Sequence, residues 1–234
     1  MIEELKALLD QGGVALDQEA ADRLRAYHAL LLEWNARMDL TNVPEEEMAV
    51  RHYGDSLLPL ARAAWFPQGA KLIDVGTGAG FPGMVLKILR PETELTLLDS
   101  LDKRLRFLST VCGELGFADV QCLHARAEEA PPELRQSFDV ACSRAVARLN
   151  LLAELCLPFV KVGGVFAAMK GPELTEELRE AEKGIRLLGG EVERVAEYAV
   201  PGTELRHNAV LIRKVSETPK KYPRKWGQMK KNPL

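Results

Sequence analysis

The stretch Asp74-Val75-Gly76-Thr77-Gly78-Ala79-Gly80-Phe81-Pro82-Gly83 ends one apolar run, 71–75, and opens a helical one at Gly83. Glycines at this spacing let the backbone turn tightly and approach a ligand that a Cβ would repel. A second apolar run, 94–99, closes on Asp99, 23 positions after Gly76. There a carboxylate can accept hydrogen bonds from both ribose hydroxyls of a nucleoside. Loop and acid in this order describe a nucleoside cofactor site, whereas the loop alone would equally suit a structural turn.

Outward from the loop, strand-like runs (71–75, 94–99, 120–124, 138–143, 165–170) alternate with helical ones (83–89, 102–115, 150–157, 173–188). This alternation predicts a doubly wound, mostly parallel sheet. Two further runs, 191–200 and 208–213, flank a Pro201-Gly202 turn without an intervening helix and pair as an antiparallel hairpin at one edge, which makes seven strands. Before the sheet, residues 1–66 read as a helical cap. Leu5, Leu8 and Leu9 mark one helix, and Leu24, Tyr27, Leu30, Leu31 and Trp34 mark a second with Asp17 as its N-cap. A third segment, 44–60, starts with Pro44 and three glutamates, which suit a helix start. The expected division is a cap (1–66), a cofactor-binding α/β domain (67–214) and a basic tail (215–234).

The 234 residues allow one α/β domain with an appendage, not two large domains. With 47% hydrophobic and 28% charged residues, the composition excludes a disordered or collagen-like chain. No apolar run approaches the roughly 20 residues of a membrane span. The start, Met1-Ile2-Glu3-Glu4-Leu5-Lys6, lacks the basic flank and apolar segment of a secretory signal, so a cytoplasmic protein is expected. Cys112, Cys122, Cys142 and Cys156 have no CxxC spacing and read as reduced thiols, with no metal site. The net charge of -3 is unevenly spread. Residues 213–231 hold Arg213, Lys214, Lys220, Lys221, Arg224, Lys225, Lys230 and Lys231 against Glu217, a local charge of +7 that leaves -10 for the rest.

The identity of the cofactor turns on the loop's third glycine. A dinucleotide fingerprint needs it at position 81, where this chain has Phe81, so a nicotinamide-dependent oxidoreductase is disfavoured. The spacing Gly76, Gly78, Gly80 behind Asp74 resembles the S-adenosylmethionine loop of class I methyltransferases. Phe81 either covers part of such a ligand or packs the helix. After the third strand, Ala127 and Glu128 would flank an adenine, unless the acids there form only a solvated face. After the fourth, Ser143-Arg144-Ala145 sits at the sheet edge where open α/β folds bind ligands.

From end to end the chain resembles the bacterial small-subunit (16S) ribosomal RNA methyltransferase G family, also called glucose-inhibited division protein B. The resemblance rests on Trp34-Asn35 through Met38, Leu40 and Thr41; Arg51-His52 with Asp55-Ser56-Leu57; Val75 to Gly83; Leu98-Asp99-Ser100 with Lys103-Arg104 and Phe107-Leu108; Ser143-Arg144-Ala145; Met169-Lys170-Gly171; and Tyr222-Pro223-Arg224 with Gly227, Lys230 and Pro233-Leu234. It implies a class I, Rossmann-like enzyme that moves a methyl group from S-adenosyl-L-methionine to N7 of a guanine in the decoding region of 16S ribosomal RNA. Family cofactor positions fall on Gly76, Phe81, Ala127, Glu128 and Arg144; Gly78, Gly80 and Asp99 join them from the residue argument. The common family loop has proline at Ala79 and often leucine at Phe81, and neither change removes a glycine.

Guanine N7 has a free lone pair, so its methylation needs placement and charge tolerance rather than a general base. In keeping with this, the fourth strand is not followed by the Asn/Asp-Pro-Pro-aromatic motif of exocyclic-amine methylation. The Pro-Cys pair of pyrimidine C5 enzymes is also missing, which leaves Cys142 a core thiol. Arg144, Lys170 and His207 are the expected substrate-positioning residues, while His52 and His124 read as structural. Lys220, Lys221, Tyr222, Arg224, Lys225 and Trp226 interleave cations with aromatics and are expected to contact RNA, independently of cofactor binding. A monomer with small-subunit RNA as its partner is the leading expectation. A non-catalytic ribosome-binding factor that keeps the cofactor pocket is the alternative.

Overall fold

Alternate residues of the central strands feed two separate cores, and this is what organises the molecule. The structure of the chain, a computed structural model, describes residues 1–61, 66–144, 146–201 and 203–234. Ala145 of the Ser-Arg-Ala run and Gly202 of the expected turn lie outside the described residues. In β1 (Lys71–Val75) every position but the first is buried, as expected of a strand covered on both faces. Leu72 enters one core, with Val140, Val165 and Leu211, while Ile73 enters the other, with Ala141, Phe166 and Ile212.

The seven strands run β3-β2-β1-β4-β5-β7-β6, where β2 is Glu94–Asp99, β3 Gln121–His124, β4 Phe138–Arg144, β5 Val160–Lys170, β6 Gly190–Ala199 and β7 Arg206–Lys214. β1 to β5 are parallel, and β7 and β6 form the expected antiparallel edge. The order reverses between β1 and β4, so the loops leaving those two strands splay apart and open a crevice at their carboxyl ends.

The helices α5 (Gly83–Leu89) and α6 (Asp102–Leu115) cover the first face together with the cap, and α7 (Leu149–Cys156) and α8 (Thr175–Leu187) cover the second. In the cap, α1 (Ile2–Gln11) is followed by α2 (Gln18–Met38), whose Asp17 carboxylate accepts from the Ala20 amide at 2.7 Å as a capping residue should. The third helical segment is not uniform. It runs as α3 (Glu45–Met48), a wide π turn (Ala49–Gly54) and α4 (Asp55–Ala61). The cap shares its core with the sheet: Leu5, Leu24, Tyr27 and Leu31 belong to the same buried cluster as α5, α6 and Leu72. No separate cap core exists among the described residues.

The basic tail is the larger departure from expectation, because it is packed against the second face. Tyr222 and Met229 are buried in the second core, and residues 226–231 form a short helix, α9 (Trp226–Lys231). All four cysteines are free, with Cys142 and Cys156 fully in the core.

Candidate active site

The glycine loop is held from inside by a carboxylate. Asp74, fully buried, accepts through Oδ2 from the Thr77 hydroxyl at 2.7 Å and from the Gly83 amide at 2.8 Å, so it joins the two ends of the loop. Burial pushes its carboxyl up to about 6, against the Thr77 and Gly83 hydrogen bonds that favour the anion. The Gly76 and Thr77 amides both donate to the Leu98 carbonyl, at 2.8 and 3.1 Å, which lays the loop against the end of β2. Asp99 then accepts from the Gly78 amide at 2.9 Å and from Arg104 at 3.2 Å, and its other oxygen accepts from the Leu101 amide at 2.9 Å.

Two of the glycines do different work. Gly78 (φ +59°) has nothing within 4 Å of where a Cβ would stand, and it faces an open cavity. Gly80 (φ +102°) is pressed into the cap: a Cβ there would lie 2.7 Å from the Tyr27 hydroxyl and 2.8 Å from Leu108. Tyr27 itself donates to the Ala79 carbonyl, so α2 grips the crest of the loop. Gly80→Ala is therefore expected to destabilise the fold by about 3 kcal/mol, combining backbone strain with overpacking. The check is the urea midpoint, which should fall with an unchanged slope.

The loop and the ends of β2, β3 and β4 enclose a cavity of about 460 Å³. Of the eight residues expected to hold a cofactor, Gly76, Gly78, Phe81, Asp99, Ala127, Glu128 and Arg144 line it. Gly80 does not; its place is against the cap. Phe81 has two environments. It lines the cavity and is also packed among Tyr27, Tyr53 and His52, at 4% exposure.

Behind the first cavity lies a second of about 350 Å³, lined by Arg51, His52, Asp55, Arg144, Lys170, Tyr198 and His207 among others. The three residues expected to position substrate, Arg144, Lys170 and His207, all meet here. His52 and Arg144 line both cavities and form their common wall. Arg144 is not a surface ion pair. Its guanidinium lies 5.2 Å over the Phe81 ring and donates to Asp55 at 3.1 Å, to the Arg51 carbonyl at 3.1 Å and to His52 Nδ1 at 3.1 Å.

Asp55, His52, Tyr198 and Thr41 are the members that the residue pattern did not single out as functional. Asp55, 5% exposed, accepts from Tyr198 at 2.8 Å and pairs with His207 Nδ1 at 2.6 Å as well as with Arg144. Burial works to raise its carboxyl, but the His207 hydrogen bond and the Arg144 charge outweigh it and hold the group below its ordinary value. The same hydrogen bond raises His207 above 6.5. His52 goes the other way: burial, and then the Arg144 charge, push it down to about 3, so it is neutral. Arginine can only donate, so His52 Nδ1 is the acceptor and Nε2 carries the hydrogen, donated to Thr41 Oγ1 at 2.6 Å. The ring stacks on Phe81 at 4.5 Å. A signal for these two was present in the sequence: Arg51, His52, Asp55 and Ser56 cluster between the apolar residues Met48-Ala49-Val50 and Leu57-Leu58.

Lys170 is held by Glu177 at 2.6 Å and the Ala147 carbonyl at 2.9 Å. His124 sits at the end of β3, bonded to the Ser100 carbonyl at 3.1 Å. Of the tail residues expected to meet RNA, Lys220, Lys221 and Lys225 are exposed, Tyr222 is buried, and Arg224 is tied to Glu154 at 2.6 and 2.8 Å. Trp226 lies elsewhere altogether, in the wall of the first cavity.

A family model described as rRNA small subunit methyltransferase G matches residues 20–206. The ribosomal RNA small subunit methyltransferase G of Alkaliphilus oremlandii is 47% identical in a 238-residue alignment that covers 99% of each chain. The protein of the same name from Clostridium botulinum (strain ATCC 19397 / Type A) is 47% identical over 215 residues, 91% of this chain and 90% of its own. Among solved structures, M. jannaschii TYW2 in complex with AdoMet is similar in fold, with a TM-score of 0.54 at 12% identity over 69% of this chain and 77% of that one. The family match runs through the second cap helix, the glycine loop and all residues of the two cavities except His207 and Trp226, and the chain belongs to the rRNA small subunit methyltransferase G family.

Proposed function

We propose that the chain transfers a methyl group from S-adenosyl-L-methionine to N7 of a guanine in 16S ribosomal RNA of the small ribosomal subunit. The observation that carries this reading is the shared wall: a nucleoside-type cavity and a cation-lined cavity meet at His52 and Arg144.

The first cavity suits the cofactor. Its volume falls within the roughly 300–1,000 Å³ of small-ligand sites, Gly78 leaves room where a side chain would intrude, and the Asp99 carboxylate faces in from the end of β2. Gly76, Gly78, Phe81, Asp99, Ala127, Glu128 and Arg144 would hold it. When bound, S-adenosylmethionine supplies an electrophilic methyl group on a sulfonium.

The second cavity is fitted to a base that needs no deprotonation. His52 spends both ring nitrogens on Arg144 and Thr41 and is neutral, so it has no lone pair left to take a proton. Arg144, Lys170 and His207 offer donors to guanine O6 and to phosphates. Asp55 keeps a negative charge beside the base, on which a positive charge develops when N7 is alkylated. The exposed Lys220, Lys221 and Lys225 add phosphate contacts outside the cavity. The chain acts as a monomer in the cytoplasm. No helix among the described residues is long and apolar enough to cross a membrane.

The test uses small subunits from cells lacking the enzyme, incubated with methyl-labelled S-adenosylmethionine. Label is expected in 16S RNA at one guanine that becomes cleavable by borohydride and aniline, the chemistry of N7-methylguanosine. Label on another atom or another RNA would overturn the assignment, and no label in naked RNA, small subunits or their precursors would favour a non-catalytic ribosome factor.

A further inference from the structure

The C-terminal segment reaches the second face of the sheet through a series of anchors. Arg135 donates to three backbone carbonyls of the segment, those of Thr218, Pro219 (3.2 Å) and Tyr222 (2.7 Å). The fully buried Lys214 donates to the Leu157 carbonyl at 2.6 Å and to the Thr218 hydroxyl. Glu154, 1% exposed, takes a bidentate grip on Arg224 and also accepts from the Arg224 amide at 2.8 Å. A planar guanidinium on a buried carboxylate fixes direction as well as position. Farther on, Met229 is buried in the core and Leu234 lies against Gly184.

These anchors lead directly to Trp226, two residues after Arg224. Its indole is half-buried against the second core and lines the first cavity together with Leu155, Ala127 and Glu128. Asp99 ends β2 and marks the ribose; β3 lies beside β2, and Ala127 and Glu128 follow β3. A nucleoside whose ribose is at Asp99 and which extends toward β3 therefore brings its base to Ala127, Glu128 and Trp226. Leu155 and the indole give that end of the cavity an apolar surface, which suits a purine face and not a phosphate.

We infer that Trp226 is a cofactor-binding residue: its indole walls the part of the cavity that takes the adenine of S-adenosylmethionine, and the C-terminal segment is a built part of the cofactor site. This rests on the reading of the first cavity given above. It replaces the expectation that the tail and the cofactor act independently, because removing residues 220–234 would open the adenine end of the site.

The experiment measures S-adenosylhomocysteine binding by calorimetry to the full-length protein and to Trp226→Ala and Trp226→Phe, with thermal unfolding recorded for each. Trp226→Ala is expected to bind about ten-fold more weakly, the scale of one lost base–aromatic contact. Trp226→Phe should keep most of the affinity. A second readout is intrinsic fluorescence. The chain has three tryptophans, and the ligand is expected to quench emission in the wild type but not in Trp226→Phe. Unchanged affinity of Trp226→Ala, or quenching that persists in Trp226→Phe, would overturn the inference. Unchanged cofactor affinity with weakened binding of 16S RNA would return the indole to an RNA contact. A wild-type protein that fails to bind S-adenosylhomocysteine would remove the cofactor reading itself and the inference with it.

Discussion

Asp55→Asn is expected to slow methyl transfer about a hundred-fold at saturating S-adenosylmethionine, because loss of the carboxylate releases the groups that shape the substrate cavity and a misplacement of about 1 Å costs that much. Asp55 is the one buried anion shared by Arg144, His207 and Tyr198, which come from β4, β7 and β6. An asparagine can still accept from Tyr198, but it cannot neutralise Arg144. Removal of one partner of a buried pair typically costs about 3–5 kcal/mol, so a fall in melting temperature should accompany the kinetic loss. Affinity for S-adenosylhomocysteine should fall less than the rate does, because Asp55 itself lines only the second cavity and reaches the first through Arg144 alone.

The same variant has a pH signature that a merely structural residue would lack. His207 is raised above 6.5 chiefly by its hydrogen bond to Asp55, so that pairing stabilises fully below pH 6.5 and fades as pH rises through the raised value. Asp55 is held below 3.8, so its contribution is full above 3.8 and is lost as pH falls through the depressed value. The stability gap between wild type and Asp55→Asn should therefore be widest between about pH 4 and 6.5 and should narrow on both sides. In the variant the His207 Cε1 proton resonance should titrate below its wild-type midpoint. An unmoved midpoint with a flat gap would show that Asp55 does not govern His207.

How much of this was readable beforehand follows from the range over which each feature is determined. β1, β2, α5 and α6 lie where the pattern puts them, because burial on both faces or on one helical face is written into residues a few positions apart. The amino-terminal half of β5 was not legible. Residues 161–163 are exposed and include Gly163 at φ +88°, so they carry no apolar pattern. The π turn was hidden as well, since a shift of phase within a helical stretch leaves the local composition unchanged. The packing of the tail on the second face was not legible, because its charge is local while its partners are not. Glu154, which holds Arg224, sits 70 positions earlier inside an apolar helix. The Asp55 cluster joins residues 89 to 152 positions apart, beyond any local pattern. The loop and its acid were legible for the opposite reason: the glycine turn and the Asp99 carboxylate that accepts from its Gly78 amide lie within one β1-α5-β2 unit.

The contrasting prediction concerns that unit. Asp99→Ala should raise the dissociation constant for S-adenosylhomocysteine by about a hundred-fold, the loss of two hydrogen bonds to a charged acceptor at about 1.5–3 kcal/mol each, tempered by what water regains. Its carboxylate does more than face the cavity: it orders the Gly78 amide, the Leu101 amide at the start of α6 and the Arg104 guanidinium. Alanine leaves those three donors without their acceptor, so the loop's crest loosens where the ligand must be approached most closely. The kinetic pattern should be the reverse of that of Asp55→Asn. KM for S-adenosylmethionine should rise steeply while kcat at saturation falls far less, since the wall between the cavities, His52 and Arg144, is untouched. Asp99→Asn keeps the shape and one acceptor oxygen and should recover part of the affinity. If kcat falls as far as KM rises, Asp99 also acts on the transfer step, and the division of labour between the two cavities does not hold.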